Sequence, residues 1–256
     1  MTIEGAERRK PKPADIDIDA LMKRVPLPAL PSLETPFNLL VTGVGGTGVV
    51  TVGQLISMAA HLEGKGASIL DFTGFAQKFG SVLSFVRIGQ DPGQIHQVRI
   101  DTGMADAVIG CDVVVSSSPK ASGTYSARTR VALNTASMPT GDLVLKRDAD
   151  LNIEGRSTAI EAVVGADNLA AFDANAASEA LFGDAVFANV MMLGFAWQRG
   201  LVPVSLDALM RAVELNNVAV DNNKRALACG RLMAADPSTL TKHLNPSSDI
   251  ATSLDE

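Results

Sequence analysis

The stretch Phe37-Asn-Leu-Leu-Val-Thr-Gly-Val-Gly-Gly-Thr-Gly48 limits the fold of this chain more than any other. It reads as a buried strand running straight into a glycine-rich turn that opens a helix. Gly43, Gly45, Gly46 and Gly48, four glycines within six positions, let backbone N–H groups approach an anion or another backbone closely. The helix that follows adds free N-terminal donors and the positive end of its dipole. The spacing Gly43-x-Gly45-x-x-Gly48 matches the dinucleotide fingerprint in its strand–turn–helix setting. A tight β–α turn that binds nothing satisfies the same glycines, so the turn alone leaves both readings open.

Charge and cysteine usage narrow the function classes. With 22 Lys plus Arg against 28 Asp plus Glu, the net charge is −6, which argues against general nucleic-acid binding. Two cysteines, Cys111 and Cys229, suit a reducing compartment and are too few for an iron–sulfur cluster or a structural zinc. Met1–Arg24 is polar and mixed in charge, without the apolar segment of a signal peptide. The longest apolar stretch, Ala185–Trp197, is short and broken by Asn189 and Gly194, so no membrane span is expected. These features predict a soluble, cytoplasmic protein. At 46% hydrophobic over 256 residues, one sizeable core or two small ones can form.

Along the chain, residues 1–36 read as a proline-rich arm or linker, with Pro11, Pro13, Pro26, Pro28, Pro31 and Pro36 forbidding a long helix or an internal strand. Val25, Leu27, Ala29, Leu30 and Leu33 lie between those prolines and suit a segment laid across another surface. Residues 37–235 form the body, and 236–256, rich in Ser, Thr and Asp, a flexible tail. The body is expected to be α/β: a Rossmann-like, mostly parallel sheet with a β-hairpin insertion and a helical C-terminal cap. Strands are expected at Asn38–Thr42, Ala67–Asp71, Asp112–Ser116 and Arg130–Asn134, and a helix from about Thr47 to Leu62. The hairpin is expected to join Ser81–Gly89 to Gln94–Ile100 across Asp91-Pro92-Gly93. Ala174–Ala235 is helical in pattern, with Ser205 as a helix start.

A series of motifs then falls in one order: Leu40–Thr51, Ala59–Gly66, Ala76-Gln-Lys-x-Gly80, Val86-Arg-Ile88 and Gly110-Cys-Asp112. It continues through Asn134-Thr135, Pro139–Asp142, Gly194–Pro203, Ala212–Val220 and Asn223-Lys-Arg-Ala226. This set resembles the γ-type domain of 2-oxoacid:ferredoxin oxidoreductases, most closely the indolepyruvate version, over residues 37–235. The resemblance implies oxidative decarboxylation of a 2-oxoacid, an aryl pyruvate such as indolepyruvate, to an acyl-CoA. Thiamine diphosphate with Mg and [4Fe–4S] clusters are then expected on a large partner subunit, CoA as co-substrate, and ferredoxin or another acceptor for the electrons. This chain would bind none of those cofactors alone. Gly183-Asp184 and Asn222-Asn223 look like halves of a thiamine motif, but they stand too far apart and in predicted helices.

Two departures from the family pattern stand out: Gln77-Lys78-Phe79-Gly80 in place of Gln-Lys-Gly-Gly, and Ser84-Phe85-Val86-Arg87 in place of Ser-His-Val-Arg. They put the substrate range in question, since a glycine and a proton carrier are each replaced by an aromatic ring. The candidate ligand-binding residues for CoA, phosphate or substrate are Gly43, Gly45, Gly46, Thr47, Gly48, Thr73, Gln77 and Lys78. Lys78 suits a phosphate or carboxylate partner, though a solvated loop lysine fits equally. Asp71 lies farther from Gly43 than the roughly 20 residues of a ribose-binding acid, so a structural hydrogen bond is the better expectation. His61, His96 and His243 have no ligand spacing, Cys111 reads as a small core residue, and Trp197 as core or interface. No catalytic residue is assigned. Two rivals stay open: a free-standing NAD- or FAD-binding oxidoreductase, and a non-catalytic assembly module of the same family.

Overall fold

A computed structural model describes residues 16–73, 80–136 and 151–244. The first strand, β1 (Phe37–Val44), leads through the glycine turn into α2 (Val49–Leu62), preceded by a short helix α1 (Ile18–Met22). β2 (Gly66–Thr73), β3 (Ser81–Gly89), β4 (Ala107–Gly110), β5 (Arg130–Asn134) and β6 (Leu169–Phe172) complete a six-stranded sheet of order β2-β3-β1-β4-β5-β6. β1, β4, β5 and β6 run parallel, while β3 pairs antiparallel with both β1 and β2. Only β3 is therefore reversed, slotted between β1 and the strand reached by the first crossover. The hairpin is β2–β3, not the expected pairing of Ser81–Gly89 with Gln94–Ile100. Asp91 accepts the Gly93 N–H at 2.7 Å, and Pro92–Gln94 coils into a 3-10 turn. The reason is burial: Val82, Leu83, Phe85, Val86 and Ile88 make β3 apolar on both sides, a pattern for a central strand. Residues 96–99 are exposed instead and form irregular chain.

A second correction concerns Asp112–Ser116. The paired strand is Ala107–Gly110, and Val113–Ser116 forms α3, a single helical turn. The run of three valines has strand propensity, but the Asp112 carboxylate accepts the Val115 N–H at 2.7 Å and caps a helix. α4 (Pro119–Ser122) follows, then α5 (Ile153–Val164), which with β6 was not anticipated. The helical cap comprises α6 (Ala174–Phe182), α7 (Ala188–Gln198), α8 (Leu206–Asn216), α9 (Val220–Ala235) and α10 (Pro237–Leu244). Ser205 caps α8 as expected, accepting from the Ala208 N–H at 3.2 Å.

Two apolar layers cover the sheet. On one face α2, α7, α8 and α9 bury Leu39, Val41, Val86 and Ile88. On the other, α3, α4 and α5 with residues around Ile100 bury Leu40, Leu83, Phe85 and Val108. Phe85, the second family departure, is thus a core ring, 4% exposed and edge-on to Phe72 at 5.7 Å. α7 is the central helix, with every residue from Ala188 to Trp197 buried. It crosses α9 so closely that a Cβ on Gly194 would lie 2.0 Å from the Leu227 carbonyl oxygen, and one on Gly230 1.9 Å from that of Met191. Ile16 and Ile18, within the proline-rich arm, are buried in the first layer, and Gln198 donates to the Pro26 carbonyl at 2.6 Å. No helix among the described residues is long and apolar enough to cross a membrane.

Candidate functional site

The carboxyl ends of β1, β4 and β5 meet at one edge of the sheet, where open α/β folds place ligands. Only glycine fits at position 43, near the end of β1, because a Cβ there would sit 2.5 Å from Val49 and 3.0 Å from Cys111. Gly45 donates its N–H to the Gly80 carbonyl at 2.7 Å, tying the turn to the start of β3. Gly46 and Gly48 take φ of +86° and +94°, a region that favours glycine. Among the described residues a Cβ on Gly46 would meet nothing within 4 Å. Thr47 closes the turn by donating its hydroxyl to the Val44 carbonyl at 2.8 Å. Among the described residues no side chain caps α2, whose N-cap is Gly48, so within that set the first-turn donors of this 14-residue helix face the edge without a side-chain partner.

Beside the turn lies a cleft of about 250 Å³, lined among others by Gly46, Thr47, Asp112, Asn175, Asp184 and Asn189. Its volume is below the range of about 300–1,000 Å³ that envelops a whole drug-sized ligand and suits one end of a longer molecule. Asn134, on β5, ties together two of the lining residues, Cys111 and Asn175. Its amide donates to the Cys111 carbonyl (3.1 Å) and to Asn175 (2.9 Å), and its oxygen accepts from Ala136 and Ala174. Asn189 reaches in from α7 and donates to the Thr47 carbonyl at 2.7 Å. Gly183-Asp184 lies in the bend between α6 and α7 rather than inside a helix, with Asp184 accepting the Val186 N–H at 3.0 Å.

Burial pushes the Cys111 thiol up to about 12, with the Asp112 charge as a lesser cause, so it stays protonated and is no nucleophile at neutral pH. Burial also raises the Asp112 carboxyl above its ordinary value, against hydrogen bonds from the Val115 and Val114 backbone and the charge of Arg156. Asp71 accepts a hydrogen bond from the Ser84 hydroxyl on β3, the structural role expected of it. Among the described residues no group of three His, Cys, Asp or Glu could hold a metal ion. Two buried cysteines do not fit a cluster that needs four thiolates.

Of the eight candidate ligand residues, the structure brings Gly43, Gly45, Gly46, Thr47 and Gly48 to one edge. Thr73 ends β2 on the same edge, exposed, with β3 between it and β1. Gln77 and Lys78, with Phe79 and the Pro139–Asp142 motif, lie outside the described residues. Sequence reasoning missed Asn134, Asn175 and Asn189. The signal available for Asn189 was an amide set in an otherwise apolar helical run. A larger hollow of about 520 Å³ runs along α2 and α8, lined by Leu55, Met58, Ile69 and Leu215 among others. It is apolar and lies away from the turn.

Residues 38–233 match the family model described as pyruvate ferredoxin/flavodoxin oxidoreductase. This chain belongs to that family. The indolepyruvate oxidoreductase subunit IorB of Thermococcus kodakarensis is 27% identical over 207 residues, covering 76% of this chain and 94% of that one. The PORC subunit of pyruvate oxidoreductase from Thermotoga maritima superposes with a TM-score of 0.55 at 20% identity, over 77% of this chain and 96% of that one. A 2-oxoglutarate:ferredoxin oxidoreductase chain from Magnetococcus marinus gives 0.54 at 16% identity, over 78% of this chain but only 31% of that longer one. The matched region spans nearly all of the two small subunits and about a third of the longer chain.

Proposed function

We propose that this chain is the small, γ-type subunit of a thiamine-diphosphate-dependent 2-oxoacid:ferredoxin oxidoreductase that converts an aryl pyruvate such as indolepyruvate to its acyl-CoA. The single observation that carries this is near end-to-end coverage of a curated indolepyruvate oxidoreductase subunit, 94% of its length. Thiamine diphosphate, Mg and [4Fe–4S] clusters belong in this reading to a large partner subunit, because the ligands they need are not in this sequence. When bound there, they supply the decarboxylation and carry electrons to ferredoxin. This chain's own residues bind and orient. The open Gly46–Gly48 turn and the start of α2 take a phosphate of CoA, with Thr73 on the same edge as a further contact and Gln77 and Lys78 as further ligand residues in this reading. The related Magnetococcus enzyme, solved with coenzyme A bound, supports a CoA site in an assembly of this kind. In the same reading the apolar surface of the proline-rich segment in residues 1–36 and of the helical cap serves assembly, and the complex works in the cytoplasm.

The test is reconstitution of the large subunit with and without this chain, with indolepyruvate, CoA and ferredoxin. Acyl-CoA formation that depends on this chain is expected. Full turnover by the large subunit alone would leave only an assembly role. Stoichiometric iron or a bound dinucleotide on the purified chain would overturn the division of labour.

A further inference from the structure

Asn189 stands at the second position of α7, 6% exposed, in a helix otherwise filled with apolar side chains. A buried amide in that setting is costly unless its donors are used. Its Nδ2 donates to the Thr47 carbonyl at 2.7 Å and lies 3.2 Å from the Thr47 hydroxyl oxygen. That hydroxyl donates in turn to the Val44 carbonyl at 2.8 Å. Both polar groups of Thr47 that could swing are thereby held from one rigid point. The peptide plane is trans, so a fixed Thr47 carbonyl fixes the opposed direction of the Gly48 N–H. The neighbours on either side, Gly46 and Gly48, sit at positive φ and have the widest conformational freedom of any residue. Without an external tie, this is the part of the turn most free to lose its shape.

We propose that Asn189 is the positioning residue of the glycine turn. By holding Thr47 it presets the backbone for a phosphate-bearing co-substrate, and so governs affinity for that ligand through the shape of the turn. This rests on the reading of the turn as the CoA phosphate site. Preorganised donors bind an anion without the entropy of ordering a loop at the moment of binding, and the central position of α7 supplies the rigidity.

The experiment uses the assembled enzyme and the variant Asn189→Leu, which keeps the shape of the side chain and removes the donor. KM for CoA and Ki for inorganic pyrophosphate, as a competitor of CoA, should both rise about tenfold, the scale of one lost hydrogen bond to an ordered site. KM for the 2-oxoacid should stay within about twofold, because the oxoacid is not held by this turn. Thr47→Val, which removes only the hydroxyl, should move the same two constants less and serves if the leucine variant does not assemble. A lower melting temperature with KM and Ki unchanged would make Asn189 a structural tie only and overturn the proposal. Gly46→Asp separates the two levels: its Cβ has open space, Asp is among the residues tolerant of positive φ, and its charge repels a phosphate directly. If Gly46→Asp weakens CoA binding and Asn189→Leu does not, the positioning role fails alone. If neither does, the phosphate site itself is elsewhere.

Discussion

At the scale of single residues, the glycines of the turn divide by what a side chain would meet. Gly43→Ala forces a methyl group against Val49 and Cys111, and overpacking of this kind costs about 1–3 kcal/mol. Gly46→Ala meets nothing among the described residues and pays only for φ of +86°, roughly 1–2 kcal/mol. Chemical denaturation should rank the two by contact, and a neutral Gly43→Ala would mean that β1 shifts to make room. Asp112 offers a pH test. Its carboxyl is raised from 3.8 by burial, so above that pH the native state holds a proton that the unfolded chain releases. Stability contributed by this group therefore falls as pH rises from about 3.8 through its higher folded value. Asp112→Asn keeps a good helix cap and does not titrate. Its unfolding free energy relative to wild type should rise across that window, and a pH-independent difference would contradict the sign.

At the scale of elements, the crossing of α7 and α9 is the least tolerant contact. Gly194→Ala or Gly230→Ala places a Cβ about 2 Å from a backbone oxygen of the partner helix, and backbone cannot rotate away as a side chain can. We expect each to lose on the order of 3 kcal/mol, the upper end for overpacking, read as a lower urea midpoint. The turn between α8 and α9 is the opposite case. Ala219 holds φ of +40°, a strained region for alanine. Ala219→Gly should gain about 0.5–1 kcal/mol, the strain relieved less the added entropy of glycine. Asn223 shows how a family motif can serve this turn: its amide donates to the Val218 carbonyl at 2.8 Å and its N–H to that of Ala219.

At the scale of the whole molecule, the proline-rich segment is joined to the body. Ile16 and Ile18 sit in the main core and Gln198 reaches the Pro26 carbonyl. Burying one isoleucine is worth roughly 1.5–3 kcal/mol. Removing residues 1–36 should therefore lower the melting temperature of the chain as well as weaken capture of the large subunit. An unchanged melting temperature with lost capture would show the segment serving assembly alone.

The glycine turn, the strand before it, the helix after it and the cap at Ser205 were all legible in the sequence. Each is written in local spacing, where residue type and neighbours within a few positions decide the backbone. The family was legible because many motifs stand in one order. What local spacing does not contain is who pairs with whom. That β3 inserts between β1 and β2, that three valines after Asp112 coil rather than extend, and that residues 96–99 stay outside the sheet all follow from competition for buried places. The cleft is of the same kind: Asn134, Asn175 and Asn189 come from β5, α6 and α7, far apart in the chain. Thr47 and Asn189, 142 positions apart, become neighbours only because α7 is buried on all sides, with α2 among the elements packed on it. Local chemistry set the turn; the packing of a buried helix decided what holds it.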